Sequence, residues 1–269
     1  GVLAQGPWLS GLSGMAKYEL HGWGQNTTPQ PGLNGRRGYQ PRGKVLGGSS
    51  SINAMLYVRG NRWDYDHWAA LGNPGWSYDE VLPLFRRSEH NEQFTDAFHG
   101  QGGPLNVTYP RHDSPVNQMF QEAAQMHGLT ANPDYNGAEQ EGSFLYQVTQ
   151  RGGERCSAAK AFLTPHLSRP NLKVVTQAVA ARVLLDGRRA TGIAYHHGGQ
   201  LRQVRARRET VLCGGAFGSP QLLMLSGIGP HAAVHTHGLP PSPAPPGGGQ
   251  QRHGHLHHRT ISLLPTPPA

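Results

Sequence analysis

Two glycine- and serine-rich segments contain the residue types of this 269-residue sequence that are suited to chemistry. The first covers residues 43–53 and reads Gly-Lys-Val-Leu-Gly-Gly-Ser-Ser-Ser-Ile-Asn. Its paired glycines, Gly47 and Gly48, let a ligand approach the backbone closely because no Cβ stands in the way. The serines that follow, beginning with Ser49, supply hydroxyl groups and caps at a helix start, where free N–H groups favour an anion. Taken alone, the pattern favours a tight turn that only caps a helix.

The second segment covers residues 215–229 and combines a glycine-rich turn with an apolar helix pattern. It predicts the end of a strand, a turn, and a helix with Ser219 as its cap and Pro220 at its first position. The helix N-terminus could face a phosphate, since its backbone N–H groups attract anions. Residues that merely begin and end a helix explain the pattern equally well, and the leucines within 222–225 are typical of a protein core.

Together, the two segments resemble both signature segments of the glucose–methanol–choline (GMC) oxidoreductase family, in the order in which the family has them. Shorter stretches between them also resemble the family: Tyr57-Val58-Arg59-Gly60, Asp64-Tyr65-Asp66-His67-Trp68, Gly75-Trp76, Ser88-Glu89, His99-Gly100, Gly103-Pro104-Leu105 and Arg155-Cys156-Ser157-Ala158-Ala159. The resemblance extends over about residues 29–238 and is strongest to the bacterial choline and aliphatic alcohol dehydrogenases.

This resemblance implies an FAD-dependent enzyme that oxidises a small alcohol, such as choline or another primary alcohol, to an aldehyde. In the family a neutral histidine accepts the hydroxyl proton while the alcohol carbon passes a hydride to the flavin. The positions that match cofactor-binding positions are Val45, Gly47, Gly48, Ser49, Asn53, Ala54, Met55 and Leu56. A further FAD contact, made in the family by the backbone of a valine, falls on Ala180.

Two departures from the family pattern bear on activity. No Gly-x-Gly-x-x-Gly turn for the ADP half of FAD occurs in the sequence, and nothing after residue 230 resembles the region that holds the catalytic histidine. We therefore assign no catalytic residue and expect an internal fragment that is inactive, or nearly so, in isolation. The alternative from another functional class is a non-catalytic flavin-binding module that retains the scaffold.

Charge and composition narrow the set of partners. The formal charge is +8, but the basic residues are scattered and no aromatic side chains interleave with the densest run, which lies within 202–208. This arrangement argues against nucleic acid as a binding partner. The positive charge of the chain is equally suited to binding an anionic dinucleotide. The sequence contains no run of 18 consecutive apolar residues, so no transmembrane helix is predicted. The first residues do not resemble a signal peptide. We expect a cytoplasmic protein, with peripheral association at the inner membrane as the alternative.

The metal-ligating residue types do not predict a metal site. Histidines crowd the segment 251–259, where spacings of one or two residues on a flexible chain make an adventitious chelator. We expect His90 and His99 to be structural. The two cysteines, Cys156 and Cys213, fit a reducing compartment and are both expected to be packed rather than reactive.

The abundance of Gly (37) and Pro (22) indicates a loop-rich α/β or mixed α+β fold. Helices are predicted over 62–71, from Ser77 with a capping box to Glu80, over 115–127 between Ser114 and Gly128, and over 157–167. Strands are predicted over 172–176, 180–185, 190–196, 204–208 and 209–213. A β-meander that leads into a strand, a glycine turn and a helix suits part of a Rossmann-like FAD domain.

The predicted organisation has four segments. Residues 1–110 contact and cover FAD, and 111–168 form a helical part of the substrate-binding domain. Residues 169–238 hold the β-meander and strand–turn–helix of the FAD domain. A disordered tail covers 239–269, because its Pro, Gly and His composition cannot bury enough apolar surface to offset the entropy of ordering.

Overall fold

The structure, a computed structural model, describes residues 21–111 and 114–229. These residues divide into two units, of which the first ends at Lys173 and the second begins at Val174. Helices and short strands are interspersed in the first, and a β-meander followed by a helix forms the second, so the predicted mixed α/β class is confirmed. The predicted tail, 239–269, lies outside the described residues. The division into four segments stays a prediction.

The first unit combines helices with very short strands. Its α-helices are α1 (Arg62–Ala70), α2 (Tyr78–Ser88) and α3 (Pro115–Met126). Its strands pair as antiparallel β1 (Gln25–Asn26) with β2 (Tyr39–Gln40), parallel β3 (Glu89–Asn91) with β4 (Leu105–Val107), and antiparallel β5 (Gln150–Arg151) with β6 (Glu154–Arg155). Short helical turns cover Pro31–Leu33, Gly48–Ser51, Ala159–Leu163 and Thr164–His166.

The helix starts predicted from capping residues are confirmed for two of these helices. At the start of α2, the Glu80 carboxylate accepts hydrogen bonds from the backbone N–H of Ser77 (3.1 Å) and from its hydroxyl (2.6 Å). At the start of α3, the Ser114 hydroxyl accepts from the N–H of Val116 at 3.4 Å. Helix α2 runs through Pro83 to Ser88, so the proline does not end it.

A small aromatic core holds α1 and α2 together. Tyr65 of α1 and Tyr78 and Val81 of α2 are buried, and Leu82 and Phe85 pack against them. The rings of Tyr65 and Phe85 meet edge-on with centroids 5.7 Å apart, which is a favourable aromatic geometry. The first unit thus contains two helices that pack against each other through a shared core.

The second unit is an antiparallel meander with one helix. Its strands are β7 (Val179–Asp186), β8 (Arg189–His197) and β9 (Gln200–Arg205), in the order β7-β8-β9, and its helix is α4 (Gly215–Leu225). Val183 of β7 and Ala194 of β8 are buried. The N–H of Val183 donates to the Ser226 hydroxyl at 2.8 Å, which ties the end of α4 to the edge strand.

Three strand predictions need correction. The segments 172–176 and 209–213 belong to no strand, because neither has a ladder partner among the described residues. The third meander strand begins earlier than predicted, at Gln200 rather than Val204, because the two-residue turn before it pairs His197 with Gln200. A β-branched pattern alone therefore does not fix where pairing occurs.

Two helix predictions also need correction. Helix α4 begins at Gly215 rather than at Pro220, and the Ser219 hydroxyl accepts from the N–H of Gly214 at 3.0 Å from inside the helix. The predicted helix over 157–167 is instead a π-helical turn followed by a 3-10 turn. Pro165 accounts for the end of regular helical bonding here, since it has no backbone N–H to donate.

Among the described residues, no helix combines the length and the apolar character that crossing a membrane requires.

Candidate functional site

Eight of the nine residues predicted to bind a cofactor lie on one loop of the first unit, residues 45–56, called here the glycine loop. It turns sharply because two consecutive glycines adopt left-handed backbone conformations, Gly47 with φ +87° and Gly48 with φ +54°. A 3-10 turn over Gly48–Ser51 follows. Met55 is also left-handed, with φ +63°, which is uncommon for a residue with a side chain.

The two glycines serve different purposes. A Cβ added to Gly47 would lie 2.6 Å from the Ser51 hydroxyl and 3.1 Å from the backbone nitrogen of Ala159, so the fold itself requires glycine there. A Cβ added to Gly48 would have no heavy atom of the described residues within 4 Å. The space beside Gly48 is therefore open to a ligand rather than filled by the protein.

Donors and apolar surface adjoin this open space. The backbone N–H groups of Val45, Leu46 and Gly47 make no hydrogen bond to the part of the chain that the structure describes. Consecutive unpaired N–H groups are what glycine-rich turns offer to anions. The side chains of Val45 and Leu46 are also 41% and 48% exposed. The loop can thus accept a ligand that has both an anionic and an apolar part.

Serine side chains hold the loop in shape. The Ser50 hydroxyl accepts from the N–H of Ala158 at 2.9 Å and donates to the Gly47 carbonyl at 2.5 Å. The Ser51 hydroxyl donates to the Leu46 carbonyl at 2.8 Å. These hydrogen bonds are all made by groups of the chain itself, so the protein holds the turn in shape, which lowers the entropy cost of binding.

Asn53 and the residues after it are fixed by a second group of contacts. The Asn53 side-chain oxygen accepts from the N–H of Met55 at 3.0 Å, and the Met55 carbonyl accepts from the N–H of Thr149 at 2.9 Å. Ala54 lies between these contacts, and the exposed Leu56 ends the loop. The structure thus brings the predicted residues 45–56 together in one element.

Ala180, the ninth predicted residue, belongs to the second unit. It is an exposed residue of edge strand β7, opposite Tyr195 of β8. A bulge separates Ala180 from Arg182 in the pairing with β8. A backbone contact between Ala180 and a cofactor stays a prediction.

A buried polar network in the first unit was not predicted from the sequence. Its centre is His99, whose ring nitrogens lie 3.1 Å from the Glu89 carboxylate and 3.0 Å from the Asp134 carboxylate. Glu89 also pairs with the guanidinium of Arg59, and the side chains of Arg59 and Glu89 are almost fully buried. The prediction that His99 is structural did not include this ion-pair role. The short loop pattern around it gave no indication of a network with three other charged residues, Arg59, Glu89 and Asp134.

Charge balance explains the protonation of this network. Burial by itself lowers the pKa of His99, but the hydrogen bonds that its ring donates to Asp134 and Glu89 outweigh it and raise the pKa to about 9. For Glu89, burial raises the pKa, while the hydrogen bond from His99 and the charge of Arg59 bring it below its usual value. Two cations therefore balance two carboxylates at neutral pH.

Replacing His99 by Gln is expected to remove a pH-dependent part of the stability. Because the pKa of His99 is raised from 6.5 to about 9, its contribution is complete below pH 6.5 and is lost as the pH rises through 9. The difference corresponds to roughly 3 kcal/mol, at about 1.4 kcal/mol per pKa unit. Chemical denaturation between pH 6 and 10 measures it.

The control for this prediction is His127→Gln, since His127 is exposed at the end of α3. We expect the wild type and the His127 variant to lose stability in parallel as the pH rises, and the His99 variant to lose less. Parallel curves for all three proteins would show that His99 is not held protonated.

Asp96, His99 and Asp134 also place three potential ligand atoms within 4.8 Å of one another. Both ring nitrogens of His99 already face carboxylates, and the Asp96 carboxylate accepts from the N–H groups of Phe98 (2.8 Å) and His99 (3.1 Å). Internal partners thus account for the arrangement, and we do not propose a metal there.

Comparison with known proteins places this loop in a family. The model of the GMC oxidoreductase family matches residues 9–256. The chain belongs to this family. The match is wider than the residues 29–238 over which the sequence pattern indicated a resemblance.

Curated GMC relatives share substantial identity with the chain. It is 43% identical over 256 residues to a protein of Brucella anthropi named oxygen-dependent choline dehydrogenase, covering 95% of the chain and 46% of that protein. A protein of the same name from Sinorhizobium fredii is 43% identical over 247 residues, covering 91% of the chain and 45% of that protein. The chain thus spans less than half the length of these relatives.

Solved structures confirm the GMC fold. An FAD-dependent oxidoreductase from Chaetomium thermophilum matches with a TM-score of 0.79 and 33% identity, over 83% of this chain and 41% of that one. Pyridoxine 4-oxidase from Mesorbium loti matches with a TM-score of 0.79 and 34% identity, over 86% and 46%. The predicted family and fold are therefore confirmed, while the roles of the individual loop residues stay predictions.

Proposed function

We propose that this chain forms part of an FAD-dependent oxidoreductase that oxidises the CH–OH group of choline or another primary alcohol to an aldehyde. The observation that carries the proposal is the glycine loop, a preorganised turn with unpaired N–H donors and an open side at Gly48. Two relatives at 43% identity are named choline dehydrogenases, and one similar structure is an FAD-dependent oxidoreductase, which supports both the substrate class and the cofactor.

The residues of the loop fit the chemistry of FAD. The cofactor has an anionic pyrophosphate and a flat, largely apolar ring system. Backbone donors at 45–47 suit the pyrophosphate, and the exposed apolar side chains of Val45, Leu46 and Leu56 suit the ring. The open side at Gly48 admits a group at van der Waals distance from the backbone. Asn53 and the residues from Ala54 to Leu56 would then hold the flavin side of the cofactor.

FAD, when bound, supplies the hydride-accepting chemistry that alcohol oxidation requires. The residues of this chain hold and orient the cofactor through the glycine loop, and Leu56 and Val45 help to exclude water from one side of it. No residue of this chain is assigned as the proton acceptor. The chain covers 46% of the Brucella anthropi relative, so we propose that alcohol oxidation belongs to the protein as a whole.

The cytoplasm is the compartment that we propose. Cys156 and Cys213 are both free thiols, as is usual for proteins of a reducing compartment. Cys156 is buried as predicted, but Cys213 is exposed, which corrects the prediction that both are packed. Cys213 is the last residue of the segment 209–213, which has no strand partner among the described residues.

Titration of the purified 269-residue chain with FAD, followed by flavin fluorescence, tests the proposal. We expect saturable binding with a stoichiometry of one, but weak affinity, because the sequence has no Gly-x-Gly-x-x-Gly turn for the ADP half. Each missing charge-assisted hydrogen bond to the pyrophosphate weakens binding by about 1.5–3 kcal/mol. Two or three such losses amount to several orders of magnitude in Kd.

The reconstituted chain is then assayed with choline and with a simple primary alcohol, using an artificial electron acceptor. We expect no turnover by the chain alone. Absence of saturable FAD binding at millimolar FAD would contradict the flavin proposal. Turnover near ~1 per second, within the usual range for enzymes, would contradict the hypothesis that the site is incomplete. FAD binding by a longer gene product that still oxidises no alcohol would favour the non-catalytic module.

A further inference from the structure

Arg155 is a cation that contacts the glycine loop without an acidic partner. It lies at the end of β6, and its guanidinium Nη1 donates to the Ser50 carbonyl at 3.1 Å and to the Asn53 side-chain oxygen at 2.9 Å. Its Nε is buried and has no hydrogen-bond acceptor within the described chain. No carboxylate of the described residues lies within ion-pair distance of it, in contrast to Arg59 with Glu89.

A half-buried cation without a counter-ion is costly unless its N–H groups are satisfied. Burial lowers the pKa of Arg155, with no neighbouring charge acting in the opposite direction. Its described acceptors are a backbone carbonyl and an amide oxygen, both on the glycine loop. The fold therefore places this charge at the loop rather than at an acidic side chain.

The contact with Asn53 determines the backbone that follows. The Asn53 side-chain oxygen accepts from Arg155 and from the N–H of Met55 at the same time. Met55 has a left-handed backbone, which a non-glycine residue adopts only when its surroundings hold it there. Arg155 orients the Asn53 amide, and that amide holds the turn at Met55. The Ser50 contact fixes the beginning of the same segment.

We propose that Arg155 is the positioning residue of the glycine loop, holding Ser50 to Met55 in the conformation that receives the flavin. This inference rests on the proposed function for its cofactor, but the contacts on which it depends join groups of the chain itself. Both hydrogen bonds come from Nη1, whose donors lie in the fixed plane of the guanidinium, and the shorter lysine side chain is not expected to place its ammonium at the same point. A neutral side chain of similar length keeps the packing and removes both hydrogen bonds.

Hydrogen–deuterium exchange of the FAD-free 269-residue chain tests the positioning directly. In Arg155→Met, amide exchange in peptides covering 47–56 is expected to be at least about tenfold faster than in wild type, since charge-assisted hydrogen bonds are lost. The matched control is Arg151→Met, which removes an exposed charge from the same hairpin. Arg151 donates to Asn106 at 3.3 Å and has no described contact with the glycine loop.

The second readout is FAD affinity in the fluorescence titration. Arg155→Met is expected to weaken FAD binding by about tenfold or more, and Arg155→Lys to weaken it almost as much, because the two directed hydrogen bonds are absent in both. Arg151→Met is expected to bind as wild type does. Arg155→Lys keeps the charge and stands in for the methionine variant if that variant does not fold.

The outcomes separate this inference from the proposed function. Faster exchange confined to 47–56 together with weaker FAD binding supports both. Faster exchange in the same peptides of a chain whose wild type binds no FAD supports the contact and overturns the proposed function. Unchanged exchange in 47–56, or equal acceleration in Arg151→Met, overturns the role of Arg155. Acceleration spread over the whole first unit overturns it as well, since that would show a merely structural effect.

Discussion

Replacing Gly48 by valine is expected to abolish detectable FAD binding while the chain still folds. Within the part of the chain that the structure describes, a Cβ at Gly48 meets no heavy atom within 4 Å, so the added side chain occupies the open space beside the loop. That space is where the proposed cofactor approaches the backbone. The left-handed φ of +54° adds strain of about 1–2 kcal/mol for a residue with a side chain. The fluorescence titration with FAD and a thermal unfolding curve measure the two effects separately.

Gly35→Val is the matched control for this substitution. Gly35 is also left-handed, with φ +73°, and a Cβ there also has no heavy atom within 4 Å, but it lies outside the glycine loop. The control is expected to lose a similar amount of stability and to bind FAD as the wild type does. Unchanged FAD binding in Gly48→Val would remove the main argument for a cofactor at this loop. Equal losses of binding in both variants would mean that backbone strain, not the ligand space, is responsible.

Local features of the structure were predictable because adjacent residues determine them. The capping pair Ser77 and Glu80 and the N-cap Ser114 are recognised from spacing alone, and the structure shows the expected hydrogen bonds. The glycine loop is likewise contiguous in sequence. Its left-handed turn at Gly47 and Gly48 follows from the residue types. The residues of such a motif are neighbours in sequence, so they lie close together whatever the rest of the fold.

Strand predictions failed where pairing depends on distant segments. Residues 209–213 have the apolar, β-branched composition of a strand, yet Val211 is 71% exposed and the segment has no partner among the described residues. Composition indicates that a segment can join a sheet, but the ladder requires a second strand. In the same way, Ser219 has the residue type of a helix cap, but it acts from within α4.

The buried ion-pair network could not have been predicted from the sequence for the same reason. Arg59, Glu89, His99 and Asp134 come from four separate segments, and none shows a periodic pattern. The network also supports the end of the glycine loop, which leads into Tyr57 and then Arg59. The Tyr57 carbonyl accepts from the hydroxyl of Tyr135 at 2.8 Å and from the side chain of Asn136 at 3.0 Å. The candidate site residues were predicted from a motif, whereas the residues that stabilise their surroundings required the structure.

Replacing Arg59 by methionine is expected to have the largest effect on stability. The substitution leaves the Glu89 carboxylate, which is fully buried, without the guanidinium that pairs with it. Removing one partner of a buried ion pair costs about 3–5 kcal/mol, because the remaining charge is left uncompensated. Glu89 retains His99, Asn91 and the N–H of Gly100 as partners, so the effect should fall toward the lower end. Urea denaturation at pH 7 measures the change in the free energy of unfolding.

Arg62→Met is the matched control, because Arg62 pairs with Asp79 at 3.0 Å on the surface, with side chains 53% and 77% exposed. An exposed pair contributes about 0–1 kcal/mol, so this variant should remain close to the wild type. Adding Glu89→Gln to Arg59→Met is expected to recover part of the loss, since it removes the uncompensated charge. A loss in Arg59→Met no larger than in Arg62→Met, or no recovery in the double variant, would show that the buried pair does not support this unit. FAD binding should weaken together with stability in Arg59→Met, because the network anchors the residues that directly follow the glycine loop.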